Sequence, residues 1–255
     1  MLVPALMLCF VPVSEPKYLY VEPCKAREDL RSFILADLES QVPVSVGNKY
    51  RAQQPITHGH EATHAINDRL SKKGYQAVYL LNKQYVTYKI PNVKLSDVQS
   101  HIPENLQLHR YHTYVVKQAT VRYETIEGQS ILIFSHENNP LYLLNEWVAY
   151  NNGAAVGLEL AGLGFCPPHK NDLLVAPLEM SVYILGLCCA IKDKDPQYWN
   201  NAKDFKIFLR NELKRARKYY DEGQKLECFA WENNIARNLK EAPKLRAMLE
   251  ELKAN

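Results

Sequence analysis

The spacing of apolar positions changes character near residue 140. Before it, short segments alternate between helical and extended periods. After it, the helical period dominates. Within residues 17–40, Leu30, Phe33, Ile34 and Leu38 recur at helical spacing and predict a first helix. "QVPVSVGNKYRAQ" reads as strand or loop. Residues 58–72 then predict a helix of about four turns. Thr57 stands where a hydroxyl caps free amides, and Lys72, Lys73 and Gly74 supply a basic last turn and a glycine stop. "YQAVYLLN" and "QYVTYKI" are rich in Val, Tyr and Thr and predict a hairpin turning at Asn82 and Lys83. "KLSDVQSHI" suggests a short helix, and "YHTYVVKQATVRYE" and "SILIFSH" suggest further extended segments.

The second half reads as helices. "PLYLLNEWVAYNNG" begins with a proline suited to a first helical turn and predicts a helix over 140–153, ending near Gly153. "DLLVAPLEMSVYILGLCCAI" predicts an apolar helix with an internal proline. "DPQYWNNAKDFKIFLRNELKRARKYYDEG" predicts one long amphipathic helix with Phe205, Phe208, Leu209 and Leu213 on one side. One or two shorter helices close the chain. The fold class is therefore α+β, a small β-sheet with the 58–72 helix in the first half and a mainly helical second half. The 255 residues suffice for a single unit spanning 1–255, with a possible subdivision into 1–139 and 140–255.

Composition narrows the function classes. A formal net charge of +3 lacks the dense basic stripe of a nucleic-acid binder, so no nucleic-acid partner is expected. The six cysteines form no CxxC pair, and the adjacent Cys188 and Cys189 in an apolar run suit small buried hydrophobes. "MLVPALMLCFVPV" has the length of a signal-peptide core but lacks a preceding Lys or Arg and a clean cleavage site. It reads equally as a buried strand, with a weak lean toward a secreted or periplasmic protein. It is too short to span a membrane stably. The oligomeric state is not legible.

Candidate chemistry concentrates in "ITHGHEATHAINDRL", residues 56–70. Residues on an α-helix are about 100° apart, so His60 and His64 lie about 40° apart on one face. Two imidazoles there reach one ion, and neutral imidazole is a strong zinc ligand. Glu61 stands beside them, where a general base takes a proton from water activated by the metal. Ala62, Ile66 and Leu70 fall on the opposite side and give the helix a core stripe. Asp68 reads as an outer neighbour of the ligands, and His58 points elsewhere from the first turn.

A catalytic zinc usually takes three protein ligands and keeps one position open. Position 70 is leucine, so no histidine six beyond His64 completes the set. Glu146 is the only acid in the apolar helix 140–153. A buried carboxylate needs a cation or a proton, so Glu146 is the preferred third ligand. The alternative leaves it at the surface beside Trp147. Glu159 and Glu179 are weaker candidates.

"HEATH" on one helix and "NEWVAY" on a later one resemble the gluzincin group of zinc metallopeptidases. The resemblance covers those two helices, and it implies a zincin-like fold built around the active-site helix. It implies Zn²⁺ held by His60, His64 and Glu146, with Glu61 as catalytic base and a peptide or protein as substrate. The His64-to-Glu146 gap is long, and the flanks match no one peptidase family, so specificity does not transfer.

Such a hydrolase also needs a donor for the developing oxyanion. Tyr150, one turn after Glu146, leads the candidates, followed by Tyr114, His112 and His169. "CPPHKND" at 166–172 reads as a rigid turn that could border a cleft, and "KRARK" at 214–218 as a solvated helix face. The competing functional reading is a catalytically inactive zincin-like module. It would bind metal and use the amphipathic helix 197–222 as a partner surface.

Overall fold

A computed structural model describes residues 32–42, 55–72, 75–107, 123–126, 129–132, 141–164, 176–226 and 235–254. The apolar N-terminal segment, the Lys73–Gly74 stop, the "CPPHKND" turn, and His112, Tyr114 and His169 lie outside the described residues. So does most of the extended segment beginning at Tyr111.

Helix α1 spans Phe33–Gln41, α2 Pro55–Leu70, α3 Leu95–Ser100 and α4 Glu104–Gln107. Strands β1 (Gln76–Tyr79) and β2 (Tyr85–Tyr88) form an antiparallel hairpin, and β3 (Tyr123–Ile126) pairs with β4 (Gln129–Leu132) in another. The second half is helical, with α5 Leu141–Gly162, α6 Ala176–Lys194, α7 Pro196–Asn201 and α8 Lys203–Gly223. Helices α9 (Ile235–Lys240) and α10 (Pro243–Ala254) complete it. The class is α+β and mostly helical. No helix among the described residues is long and apolar enough to cross a membrane.

Several boundaries move for physical reasons. Helix α2 begins three residues earlier than the capping pattern predicts, with Pro55 in its first turn and Thr57 inside the helix rather than capping it. Burial of Ile56 anchors that extra turn. Helix α5 runs through Gly153 to Gly162 instead of stopping. The single long helix predicted from Asp195 breaks at Ala202, whose ψ of 56° is not helical. Pro177 sits in the first turn of α6, where it removes no intrahelical hydrogen bond. Phe33, predicted on the apolar side of α1, is 84% exposed among the described residues, while Leu38 is fully buried.

Helix α5 joins two apolar clusters. Its N-terminal half, with Trp147 and Val148, packs into a large cluster with α6, α8 and α10. Its C-terminal half, with Val156 and Leu160, packs with Leu38, Ala62, Ile66 and Tyr79. The apolar residues Phe205, Phe208 and Leu209 of α8 are buried in the large cluster. Cys188 and Cys189 are buried and unbridged, as small hydrophobes.

Helices α2 and α5 approach through glycines. A Cβ on Gly59 would lie 2.9 Å from Val156 Cγ2. A Cβ on Gly153 would lie 3.1 Å from the Ile56 carbonyl oxygen and 3.4 Å from the His60 Cβ. Gly153 is therefore a contact point rather than a terminator. This close crossing brings the histidine face of α2 against α5.

The β1–β2 turn is held from α1. Leu81, Asn82 and Lys83 all adopt positive φ. The Asn82 amide donates to Asp37 Oδ2 at 2.8 Å, the Tyr79 hydroxyl to the same oxygen at 3.0 Å, and the Lys83 amide to the Tyr79 hydroxyl at 2.9 Å. These bonds offset the cost of three left-handed residues.

Candidate metal centre

At the α2–α5 crossing, His60, His64 and Glu146 converge. The two Nε2 atoms are 3.0 Å apart. His60 Nε2 lies 3.6 Å from Glu146 Oε2, and His64 Nε2 lies 3.5 Å from Glu146 Oε1. Donor atoms bound tetrahedrally at about 2.0–2.1 Å stand about 3.3 Å apart. The two contacts to Glu146 run to different carboxylate oxygens, and one donor atom from each of the three side chains lies within 4.8 Å of the others, close enough for all three to serve one small ion. Two imidazoles and one carboxylate are also a donor set that leaves a fourth position open. This is the only group of three or more potential His, Cys, Asp or Glu ligands among the described residues.

Glu146 is 6% exposed, which overturns its placement at the surface. Burial raises its proton affinity, but hydrogen bonding and charge from His64 overcome this and bring its pKa down to about 2. Tyr142 also hydrogen-bonds this carboxylate. Burial likewise disfavours a charge on His64, yet Glu146 outweighs it through hydrogen bonding and charge, with help from Asn145 and Glu61, and lifts it to about 9. Burial and the neighbouring His64 hold His60 down to about 3. Without metal, the pair therefore keeps one proton, opposite the Glu146 carboxylate.

That proton gives a prediction with a definite sign. The pKa of metal-free His64 is raised, so the site is protonated from neutral pH up to about pH 9, and an incoming cation must expel the proton. Zinc uptake at pH 7 should release about one proton from His64, beyond any released by water on the metal, and the His64 share should vanish as pH rises past about 9. Calorimetric titration in buffers of different ionisation enthalpy measures it. Uptake at pH 7 without proton release would contradict this charge arrangement.

His64 is oriented by residues that the sequence did not mark. Its Nδ1–H donates to Asn145 Oδ1 at 3.1 Å, leaving Nε2 toward the centre. Asn67 Nδ2 donates to the same oxygen at 2.6 Å, and Asn67 Oδ1 accepts the Tyr79 amide at 2.8 Å. Strand β1 thus fixes Asn67, Asn67 fixes Asn145, and Asn145 fixes His64. The outer neighbour on α2 is Asn67 and not Asp68. Asp68 is exposed, and Asn67 is fully buried. His60 Nδ1 is buried with no hydrogen-bond partner among the described residues. Asn145→Ala should weaken zinc binding about 10–100-fold, read by competition with a chromogenic chelator. An unchanged affinity would show that Asn145 does not orient the ligand.

The remaining candidates separate clearly. Tyr150 packs its ring 4.3 Å from that of His60 and lies one turn beyond Glu146. Glu61 is half-buried and follows His60 directly on α2. His58 turns away, with Nε2 3.1 Å from Glu39 Oε1. Glu159 accepts hydrogen bonds from the Ser32 hydroxyl and the Ile34 amide, so it serves the start of α1 instead of a metal. Glu179 is buried in the first turn of α6, outside the group. Ala62 and Ile66 are buried on the opposite side of α2, as the core stripe requires.

The "KRARK" reading needs one correction. Lys214, Arg217 and Lys218 are exposed, but Arg215 turns inward. It pairs with Glu212 at 2.8 Å and donates to Asn152 Oδ1 at 2.8 Å. Asn152 Nδ2 in turn donates to the Tyr79 carbonyl at 3.0 Å and to Thr63 Oγ1 at 3.2 Å. The i,i+3 spacing of Glu212 and Arg215, opposite two asparagines in an apolar helix, was the available signal.

Comparison with protein-family models, curated proteins and solved structures gives no match.

Proposed function

We propose that this chain is a zinc-dependent hydrolase, a metallopeptidase of gluzincin type with a zincin-like fold. The observation that carries the reading is the meeting of His60, His64 and Glu146 from two helices at separations of 3.0, 3.5 and 3.6 Å. These three side chains would hold the ion. A zinc ion so held supplies Lewis acidity and an activated water. The residues of the chain do the rest. Glu61 accepts the proton of the attacking water and delivers it to the leaving amine. Tyr150, against His60, donates to the oxyanion as it develops. Asn145 and Asn67 keep His64 in its ligating orientation, and Tyr142 steadies the Glu146 carboxylate.

The rival reading takes the protein as a metal-binding interaction module without turnover. It drew on the amphipathic helix now seen as α8, but the apolar face of α8 is buried in the core. One experiment separates the two. The zinc-loaded chain is incubated with a mixed peptide library, with a chelator and after zinc is restored. Cleavage that the chelator abolishes and zinc restores supports the hydrolase. A zinc-loaded protein that cleaves no peptide at any pH supports the module.

A further inference from the structure

We propose that the cavity between α6, α8, α9 and α10 binds a long-chain carboxylate, a fatty acid with one anionic head and an unbranched apolar tail. The cavity measures about 610 Å³ and shares no residue with the His60–His64–Glu146 group. That volume lies within the roughly 300–1,000 Å³ of small-molecule sites. Its apolar wall comes from Leu178 and Leu185 of α6, Leu213 of α8, Leu239 of α9, and Leu249 and Leu252 of α10. Leu213, Leu239 and Leu249 are only half-buried, so an apolar occupant would remove their remaining surface from water.

The rim has the opposite chemistry. Arg210, Lys214, Arg217 and Lys218 recur along one face of α8, and Lys253 of α10 joins them. Asp221 is the only acid among the described residues that line it, and it already pairs with Arg217 at 2.8 Å. Lys253 pairs with Glu250 at 2.8 Å, and Lys218 lies 3.8 Å from Glu222. Arg210 and Lys214 have no anionic partner among the described residues. The whole chain carries a net charge of only +3, whereas the described residues lining this one cavity include five cations and one acid. Two unpaired cations beside a leucine wall fit a ligand with one anionic head and an apolar tail. A purely polar anion would leave the wall unfilled, and a neutral apolar ligand would leave the two cations unmatched.

The test is a titration of the full chain with saturated straight-chain acids of increasing length and with their methyl esters, below their micellar concentrations. The expected result is saturable binding at one site, tightening up to about fourfold per added methylene. The acid should bind about tenfold more tightly than its ester. The double variant Arg210→Ala/Lys214→Ala should lose that preference and still bind the ester, which also shows that it is folded. Absence of saturable binding, affinity independent of chain length, or equal affinity of the wild type for acid and ester would each overturn the proposal. The chain-length series uses the wild type alone, so it decides the matter even if the double variant does not fold.

Discussion

Glu61→Gln should retain zinc and lose about 10²–10⁴-fold in peptide hydrolysis. Glutamine keeps the size and most of the hydrogen bonding of glutamate but has no basic oxygen for a proton. Glu61 is outside the converging donor group, so its replacement removes no ligand. Its charge raises the proton affinity of His64. Glu146→Gln should behave in the opposite way and lose the metal, because a neutral amide is a poor substitute for a buried carboxylate ligand. The two variants therefore split one phenotype, loss of activity, into two causes. Zinc content and turnover measured on both check this. Zinc loss in Glu61→Gln, or full turnover by it, would contradict the assigned roles.

Arg215→Ala should destabilise the fold by about 3–5 kcal/mol. Glu212 is 3% exposed and takes both oxygens to Arg215 Nη1, at 2.8 and 2.9 Å. Removing the guanidinium leaves that buried carboxylate without its cation, with the neutral Asn151 amide still donating to it at 2.8 Å, and leaves Asn152 Oδ1 without the Arg215 donor. The damage would spread, because Asn152 also ties α5 to α2 through Thr63 and to β1 through Tyr79. The control is Arg217→Ala, which breaks the exposed pair with Asp221 and should cost only about 0–1 kcal/mol. Urea unfolding of both variants measures the difference. Equal costs would mean that the inward-facing network contributes no more than a surface pair.

The sequence pointed to the three converging side chains better than to the residues that support them. His60 and His64 were legible because helical geometry places residues four apart on one face. Glu146 was legible because an isolated acid in an apolar helix needs a reason. Asn67 and Asn145 were not legible, since an asparagine carries no charge whose burial would look anomalous. Their roles depend on which side chain of α5 meets which of α2, and Gly59, Gly153 and Gly157 set that crossing. Gly153 misled for the same reason. A glycine that ends a helix and one that admits a neighbouring helix look alike in one dimension. The break at Ala202 carried no proline or glycine signal, and tertiary packing decides it. The inward turn of Arg215 was masked by three exposed cations around it.

The central claim is that His60, His64 and Glu146 hold one zinc ion between α2 and α5. Anomalous scattering at the zinc edge from crystals of the zinc-loaded protein tests this most directly. The account predicts one peak per chain, contacting His60 Nε2, His64 Nε2 and the Glu146 carboxylate, and no such peak in His60→Ala. A peak elsewhere in the wild type, or an undiminished peak at this position in His60→Ala, would contradict it.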